Sequence, residues 1–332
     1  MLSHIQLSKN ILQAPMAGVT TPSFVAACSE AGILGFIGAG YLDENDTRKF
    51  IQLVKKLTNK PFGINLYIQE EPKVDVKVLQ NARIALQPIY DDLGIYEVPT
   101  IISKEVFNGQ IEAVISEKVP IVSFTFGIPS KEVINKLKAA ECYLIGTATT
   151  LEEALAVEKA GLDAIILQGS EAGGHRGYFI EPMQLIPIRD LIRLVKVHTK
   201  LPIIASGGIM KKEHIQEMYA IGATYVQMGT ALLTANECDI SQTYKNAILQ
   251  SKEKDTCISS AYTGKPARGL QNTFTKQMEN AIIAPYPLQF FLTSRILKIS
   301  QQLGRKEYIS LWMGENSYLA EAKSINKIVE SL

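Results

Sequence analysis

The fold of this chain is decided by residues 121–148, IVSFTFGIPSKEVINKLKAAECYLIGTA. Two short apolar runs, IVSFTFG (121–127) and CYLIGTA (142–148), flank SKEVINKLKAAE, whose apolar residues recur at helical spacing. Both runs are apolar on both faces, as expected of strands buried within a parallel sheet. The stretch therefore predicts a strand–helix–strand unit with parallel strands.

The same alternation continues in both directions from this unit. Strands are predicted at residues 11–18, 33–40, 61–68, 121–127, 142–148, 164–169, 202–208 and 225–233. Helices are predicted between them, among them 21–32, 43–59 and 182–199, and residues 74–118 are rich in helical pattern. Eight such units favour an α/β fold of the closed (β/α)8 TIM-barrel type over an open doubly wound sheet.

The pattern changes after residue 235. Residues 236–280 contain a predicted helix, SQTYKNAILQ, a predicted strand, TCISSAY, and the turn-rich TGKPARGL, whereas residues 281–332 have a helical pattern. We therefore expect a barrel over residues 1–235 and an appended, mostly helical C-terminal region over residues 236–332. The second region is expected to pack over the barrel mouth, and one option is that the chain closes back onto the barrel.

Composition excludes several classes of protein. The chain has 332 residues, of which 46% are hydrophobic and 20% charged, and its net charge of +1 favours neither nucleic acid nor an anionic membrane as partner. No apolar run is long enough to span a bilayer, and MLSHIQLSKN lacks the order of a signal peptide. The four cysteines form no CxxC pair and no metal-ligand spacing, so we expect a cytoplasmic protein with reduced thiols and no metal.

Glycine lies at or near nearly every strand end. The ends read PMAG, IGAG, GINL, FTFG, LIGTA, LQGSEAGG, ASGG and QMGT. Glycine permits positive φ and a close approach of backbone to a ligand, although it also serves in tight turns. Since the active site of this fold lies at the carboxyl ends of the strands, the pattern favours a flat, extended ligand over the barrel mouth.

Two of these ends indicate a phosphate group. ASGGI (205–209) ends the seventh predicted strand and QMGT (227–230) ends the eighth, where barrels of this type often bind phosphate. The chain lacks GxGxxG, GxxxxGK[ST], HExxH and GxSxG motifs. The sequence thus predicts either flavin mononucleotide (FMN) or a sugar-phosphate substrate.

One of the four histidines is a catalytic candidate. His175 follows the sixth strand within QGSEAGGHRG, close to the expected mouth, and an imidazole suits general-base chemistry near neutral pH. His4, His198 and His214 are interpreted as solvated or structural. Glu171 is interpreted as a cap of the following turn. Packing is the favoured role for Tyr262, Tyr286 and Tyr308, with covering of the mouth as the alternative.

Taken together, the motifs resemble the nitronate monooxygenase family, formerly called 2-nitropropane dioxygenases, which are FMN-dependent (β/α)8 barrels. The resemblance runs in order through LQAPMAGVTTPSFVAACSEAG, GINL, VSFTFG, LQGSEAGGHRG, ASGGI, QMGTA, TGKPARGL, PYPLQ and SLWMGE. It implies that His175 is the catalytic base. It also implies FMN contacts at Met16, Gly18, Asn65, Gln168, Gly173, Gly174, Gly207, Gly208, Gln227, Met228, Gly229 and Thr230.

The activity implied by the resemblance is oxidation of alkyl nitronates, of the propionate 3-nitronate type, with O2 to a carbonyl compound and nitrite. Such an activity would serve detoxification. His175 would deprotonate neutral nitroalkanes, whereas a nitronate supplied as the anion needs no base. The resemblance leaves open which nitronate is the physiological substrate and which oligomer the chain forms.

Two alternatives stay open at this point. A similar barrel with a GGH segment occurs in FMN-dependent NAD(P)H reductases of the enoyl-acyl-carrier-protein and quinone types. The other alternative is a flavin-binding protein without turnover, which two departures from the family pattern leave open. Thr125 stands where some members have a second histidine, and the frequent SLWAGQ is here SLWMGE, with Met313 and Glu315. A glutamate in that position would add negative charge if the side chain reached the site.

Overall fold

Eight parallel strands form a closed barrel in the computed structural model, which describes residues 7–68, 75–97 and 106–332. The strands of the barrel are β1 (Ile11–Gln13), β2 (Gly35–Gly38), β3 (Phe62–Tyr67), β4 (Ile121–Thr125), β5 (Tyr143–Ala148), β6 (Ala164–Gln168), β8 (Ile203–Ser206) and β9 (Tyr225–Met228). Their spatial order is β1-β9-β8-β6-β5-β4-β3-β2, and a parallel bridge between Leu12 and Leu34 closes the ring. The predicted (β/α)8 barrel is therefore confirmed.

Thirteen helices are found in the described residues. They are α1 (Pro22–Glu30), α2 (Glu44–Leu57), α3 (Val76–Asp92), α4 (Phe107–Ser116), α5 (Lys131–Ala139), α6 (Leu151–Lys159), α7 (Ile188–Val195), α8 (Lys212–Ile221), α9 (Thr230–Leu233), α10 (Gln242–Leu249), α11 (Thr273–Gln277), α12 (Leu288–Leu303) and α13 (Ile325–Ser331). A short 3-10 helix spans Ser317–Leu319. None of the helices in the described ranges is both long and apolar enough to cross a membrane.

The stretch 121–148 folds as its pattern predicts. Strand β4 pairs with β5 in parallel, and α5 connects them over the outside of the barrel. The Ser130 hydroxyl caps α5 by accepting a hydrogen bond from the backbone N–H of Val133 at 3.3 Å. Ile134 and Leu137 are the buried residues of this helix, whereas its lysines face outward. Burial of two such side chains contributes about 3 to 6 kcal/mol in transfer free energy.

A second hydrophobic cluster joins the C-terminal region to α3. Leu86, Ile89 and Tyr90 of α3 pack with Leu288 and Leu292 of α12, and all five are buried. The Tyr90 hydroxyl donates a hydrogen bond to the carbonyl of Leu292 at 2.8 Å. The helix-rich segment predicted at 74–118 is longer than a connection between β3 and β4 needs, because α3 also packs against α12. Residues 74 and 98–105 of that segment, like His4, lie outside the described residues.

A small second sheet is the main feature that the sequence pattern missed. Strands β7 (Gly174–His175), β10 (Thr256–Ser259) and β11 (Ala267–Leu270) form an antiparallel sheet in the order β10-β11-β7. The strand predicted in TCISSAY is confirmed as β10. The turn-rich interpretation of TGKPARGL was wrong for its last four residues, which form β11. A strand of two residues is too short to show a hydrophobic periodicity, so β7 can be recognised only from its pairing with β11.

Several predicted elements are shorter in the structure, three of them for reasons beyond the usual uncertainty at element ends. The helix predicted at 182–199 is only α7, because Pro187 lies at its N-cap and proline disfavours continuation of a helix through it. The last barrel strand ends at Met228, and Thr230–Leu233 is helical. The helical prediction for 281–332 holds for α12 and α13, whereas most of residues 304–324 is irregular.

A buried carboxyl group ties the barrel to the segment that follows His175. Glu153 is fully buried at the start of α6. One carboxyl oxygen accepts hydrogen bonds from the N–H and hydroxyl of Thr149 at 2.6 and 2.8 Å. The other accepts from the backbone N–H groups of Phe179 and Ile180 at 2.5 and 2.9 Å. All four partners are donors, so only a group with two acceptor oxygens satisfies them.

We predict that Glu153→Gln lowers the free energy of unfolding by about 2 to 4 kcal/mol, because the amide NH2 would face two buried donors. Urea unfolding followed by circular dichroism measures the change. Glu152→Gln is the matched control, since Glu152 is exposed on the same helix. Equal midpoints for the two variants would contradict the role assigned to Glu153.

Candidate active site

A cavity of about 550 Å³ lies at the carboxyl ends of the barrel strands. The barrel contributes strand ends and the loops that follow them. The C-terminal region contributes Thr263, Phe290, Trp312, Gly314 and Asn316 to the same wall. A ligand in this cavity would therefore contact both parts of the chain.

Eleven of the twelve residues predicted to contact the cofactor line this cavity. They are Met16, Gly18, Asn65, Gln168, Gly173, Gly174, Gly207, Gly208, Gln227, Gly229 and Thr230. Met228 is the exception, since its side chain is buried in the core between barrel and helices. The neighbouring Gln227 reaches the cavity because successive side chains of a strand point to opposite faces. The carbonyl of Met228 accepts a hydrogen bond from Ala14 at 2.8 Å.

Two glycines of the wall are required for different reasons. Gly174 has φ +75°, and a Cβ atom added to it would meet no protein atom within 4 Å, so this backbone borders open space. A Cβ on Gly173 would instead lie 2.5 Å from the backbone nitrogen of Gly314. Gly173 thus permits the close approach of the C-terminal region, whereas Gly174 permits the turn into β7.

The loops after β8 and β9 form one end of the cavity. Gly207 and Gly208 line this part of the cavity and have φ values of +122° and +68°, a backbone conformation that can bring successive N–H groups together around an anion. The side-chain Nε2 of Gln227 is buried and has no hydrogen-bond partner among the described residues. An unpaired buried amide is costly, so this donor suits a polar group of a bound ligand. The end of the cavity therefore fits a phosphate-bearing molecule.

Two amide side chains, those of Asn65 and Gln168, also line the cavity. The Nδ2 group of Asn65 donates hydrogen bonds to the hydroxyls of Ser123 and Thr125 at 2.9 and 3.0 Å. The Gln168 side chain donates to the carbonyl of His175 at 2.9 Å and accepts from the N–H of Gly177 at 2.8 Å. Gln168 thus holds the loop that carries His175, a role the sequence pattern did not reveal.

His175 lies in the cavity wall, surrounded by aromatic rings. Its ring centroid is 5.7 Å from that of Trp312, 5.8 Å from that of Phe126 and 6.3 Å from that of Tyr286. Its Nε2 atom is 2.9 Å from the hydroxyl of Thr263. The backbone of His175 pairs with that of Ala267, so a strand of the C-terminal region holds this residue in place.

The pKa of His175 is lowered from its ordinary value of 6.5 to about 4. Burial is the larger cause, because it disfavours the charged imidazolium, and the positive charge of Lys265 adds to it. The imidazole is therefore neutral at physiological pH and can accept a proton. The unfolded chain binds this proton more tightly, so protonation of His175 opposes folding as the pH falls from about 6.5 towards 4.

Two buried arginines stabilise the loop around His175, and sequence reasoning missed both. The Arg176 guanidinium donates to the carbonyls of Gln168 and Gly169, and its side chain is fully buried. Burial first, and then the charge of Arg268, lower the pKa of Arg176 to about 10. Arg268 donates to the carbonyl of Ser170 at 2.9 Å. The signal was present in HRG and ARGL, where each arginine directly precedes a glycine.

The structure shows where both departures from the family pattern lie. Thr125 lines the cavity and shares a hydrogen bond with Asn65. Glu315 does not line the cavity. Its carboxylate is 2.7 Å from the Nη2 atom of Arg268 and is 44% exposed, so the negative charge is paired and half solvated. Met313 is fully buried in the core.

The structural interpretations of Glu171 and of two histidines agree with their contacts. Glu171 accepts hydrogen bonds from the N–H of Ile188, at 3.0 and 3.1 Å, at the start of α7. Burial raises the pKa of its carboxyl group. His198 is 2.9 Å from the carbonyl of Leu194, and His214 accepts from a backbone N–H.

The three tyrosines differ in their surroundings. Tyr262 is buried and stacks on Phe274 with ring centroids 4.4 Å apart. Tyr308 is also buried. Tyr286 is the one whose ring lies near His175, with the centroids 6.3 Å apart. Packing thus describes the first two, and Tyr286 borders the candidate site.

The fold and the cavity are those of a (β/α)8 barrel with a candidate ligand site at the carboxyl ends of its strands. In the part of the chain that the structure describes, no group of three or more His, Cys, Asp or Glu side chains is arranged to hold a metal ion. The sequence matches the family described as "Nitronate monooxygenase" over residues 1–332. The chain belongs to this family of flavin-dependent oxidoreductases.

Individual relatives support the assignment. A probable nitronate monooxygenase of Staphylococcus aureus is 42% identical over 328 residues, which cover 97% of this chain and 92% of the relative. The solved nitroalkane oxidase of Streptomyces ansochromogenes superposes with a TM-score of 0.93 at 33% identity, covering 100% of this chain and 96% of the other. FabK of Thermotoga maritima superposes with a TM-score of 0.77 at 29% identity, covering 99% and 93%.

We predict that Lys265→Gln raises the pKa of His175, because one of the two causes of its depression is removed. The shift is upward but incomplete, since burial is the larger cause. An NMR titration of the histidine ring protons measures it. Lys276→Gln, an exposed lysine on α11, is the control and leaves this pKa unchanged. An unchanged pKa in both variants would show that Lys265 exerts no field on the imidazole.

Proposed function

We propose that the protein catalyses the FMN-dependent oxidation of alkyl nitronates with O2, giving a carbonyl compound and nitrite. The observation that carries the proposal is the position of His175, a neutral imidazole in the wall of a cavity that is also lined by several glycines. Membership of the nitronate monooxygenase family supports the reaction class. When bound, FMN would supply the electron acceptor for the nitronate.

The residues of the cavity fit FMN in particular. Gly207, Gly208 and the unpaired amide of Gln227 would hold the phosphate group. Met16 and Gly18, in the loop after β1, line the cavity where a flat ring system would lie. The chain has no GxGxxG motif for a dinucleotide, and its loops after β8 and β9 occupy the usual phosphate position of the barrel.

The role proposed for His175 is that of a general base towards neutral nitroalkanes. A carbon acid loses its proton to the imidazole, and the electron pair of the C–H bond remains on the substrate as the nitronate. The depressed pKa keeps the imidazole in the neutral form that accepts this proton. The negative charge that develops beside the ring favours imidazolium, which assists the transfer.

The surroundings of His175 suit an organic nitronate. Tyr41, Tyr67, Phe290 and Trp312 line the cavity and provide apolar contact for an alkyl group. Lys265 is close enough to lower the pKa of His175, so it places a positive charge near the imidazole. That charge would suit the carboxylate of propionate 3-nitronate, and removal of such toxins is the proposed physiological role. The four free cysteines support a cytoplasmic location, because thiols persist in a reducing compartment.

We predict that His175→Asn lowers kcat/KM for nitroethane by about 10² to 10⁴ while much of the activity on ethylnitronate remains, since only the neutral substrate needs a base. Oxygen uptake measures both activities. His198→Asn, on the surface after α7, is the control and leaves both unchanged. Equal losses on the two substrates in His175→Asn would refute the role as base.

The alternative function, an FMN-dependent NAD(P)H reductase, is tested by a separate measurement. We predict that NADPH or NADH added anaerobically leaves the bound flavin oxidised, because a nitronate supplies the electrons in the proposed reaction. Absorbance of the oxidised flavin follows the reaction, with ethylnitronate as the positive control. Rapid bleaching by NADPH would favour the reductase.

A further inference from the structure

The hydroxyl of Thr263 is the direct polar partner of the His175 ring. Thr263 is 4% exposed and lines the cavity beside His175, and its Oγ1 atom is 2.9 Å from His175 Nε2. The distance is that of a hydrogen bond, in which either the hydroxyl or the ring nitrogen is the donor. Which one donates decides where the imidazole carries its proton.

The other contacts of Thr263 decide between these possibilities. Its hydroxyl donates to the carbonyl of Lys265 at 3.2 Å, and the carbonyl can only accept. Its oxygen also accepts from the backbone N–H of Lys265 at 3.3 Å. A hydroxyl has a single proton. When that proton is donated to the Lys265 carbonyl, the Thr263 oxygen can only accept from His175, through a lone pair. In this arrangement His175 Nε2 is the donor and carries the proton.

The second ring nitrogen has a different environment. No hydrogen bond joins Nδ1 of His175 to any residue within 7–68, 75–97 and 106–332. The side chain lines the cavity, so Nδ1 is the nitrogen left for a ligand. In a neutral imidazole that is protonated at Nε2, this nitrogen has the free lone pair.

We propose that Thr263 is a positioning residue that holds His175 in the Nε2–H tautomer, so that Nδ1 is the atom that takes the proton of a nitroalkane. In this step the C–H bond breaks, its electron pair stays on the substrate as the nitronate, and the proton forms a bond to Nδ1. The Nε2–H group keeps donating to Thr263, which stabilises the imidazolium by a charge-assisted hydrogen bond. The proton-transfer step rests on the proposed function, whereas the assignment of the tautomer does not.

The tautomer is measured by long-range ¹H–¹⁵N correlation NMR of FMN-loaded enzyme with ¹⁵N-labelled histidine, at neutral pH. The sequence has only four histidines, and the signals missing from His175→Asn are those of His175. We expect Nε2 to be protonated and Nδ1 unprotonated in the wild type and in Thr263→Ser. In Thr263→Val, which keeps the shape of the side chain without the hydroxyl, the Nδ1 signal shifts towards the protonated position. A wild-type His175 protonated at Nδ1 overturns the inference.

The kinetic consequence is measured on the same variants. We expect Thr263→Val to lower kcat/KM for nitroethane by about 10- to 100-fold and to change that for ethylnitronate by less than about twofold. Thr263→Ser restores the activity on nitroethane, because it restores the acceptor. Equal losses on both substrates, with the wild-type NMR pattern in Thr263→Val, also overturn the inference.

The two proposals fail in distinguishable ways. A wild-type enzyme that oxidises neither nitroethane nor ethylnitronate refutes the proposed function, and the NMR spectrum still decides the tautomer. If Thr263→Val does not fold, the spectra of the wild type and of Thr263→Ser decide it. Flavin absorbance and circular dichroism of each variant identify a fold defect.

Discussion

The antiparallel pairing of two residues in β7 with two residues in β11 is the constraint on which the candidate site depends. Ala267 pairs with His175, and Arg268 pairs with Gly174. The pairing fixes a loop of the barrel against a segment that follows it by about ninety residues of sequence. Without it, the loop after β6 would be a glycine-rich segment of large conformational entropy, and the imidazole would have no defined direction.

Buried charges reinforce this pairing and set the chemistry of the site. Arg176 and Arg268 donate to carbonyls of this loop, and Glu153 accepts from the segment that follows. Each of these groups is costly to bury, and the hydrogen bonds offset that cost only in one loop conformation. The same low-dielectric surroundings, with Lys265, keep His175 neutral. The rigidity of the loop and the neutral state of the histidine thus both follow from burial.

Much of this could be predicted from the sequence. The barrel follows from short apolar strands that alternate with amphipathic helices, since both signals are local. The glycine-rich strand ends placed the cavity, and eleven of the twelve residues predicted to contact the cofactor line it. Met228 does not line it, because motif matching cannot tell which face of a strand a residue occupies. The ion pair between Glu315 and Arg268 joins residues distant in sequence, so the motif alone could not show that the charge is paired.

The sequence by itself determined the class of fold, the end of the barrel that carries the site, and the family, because these depend on local periodicity and on motifs in order. The tertiary structure alone decided what surrounds His175. Thr263, Lys265 and Trp312 come from the C-terminal region and meet the histidine only when β11 pairs with β7. The protonation state of the imidazole depends on burial and on these neighbours, and both are properties of the folded chain.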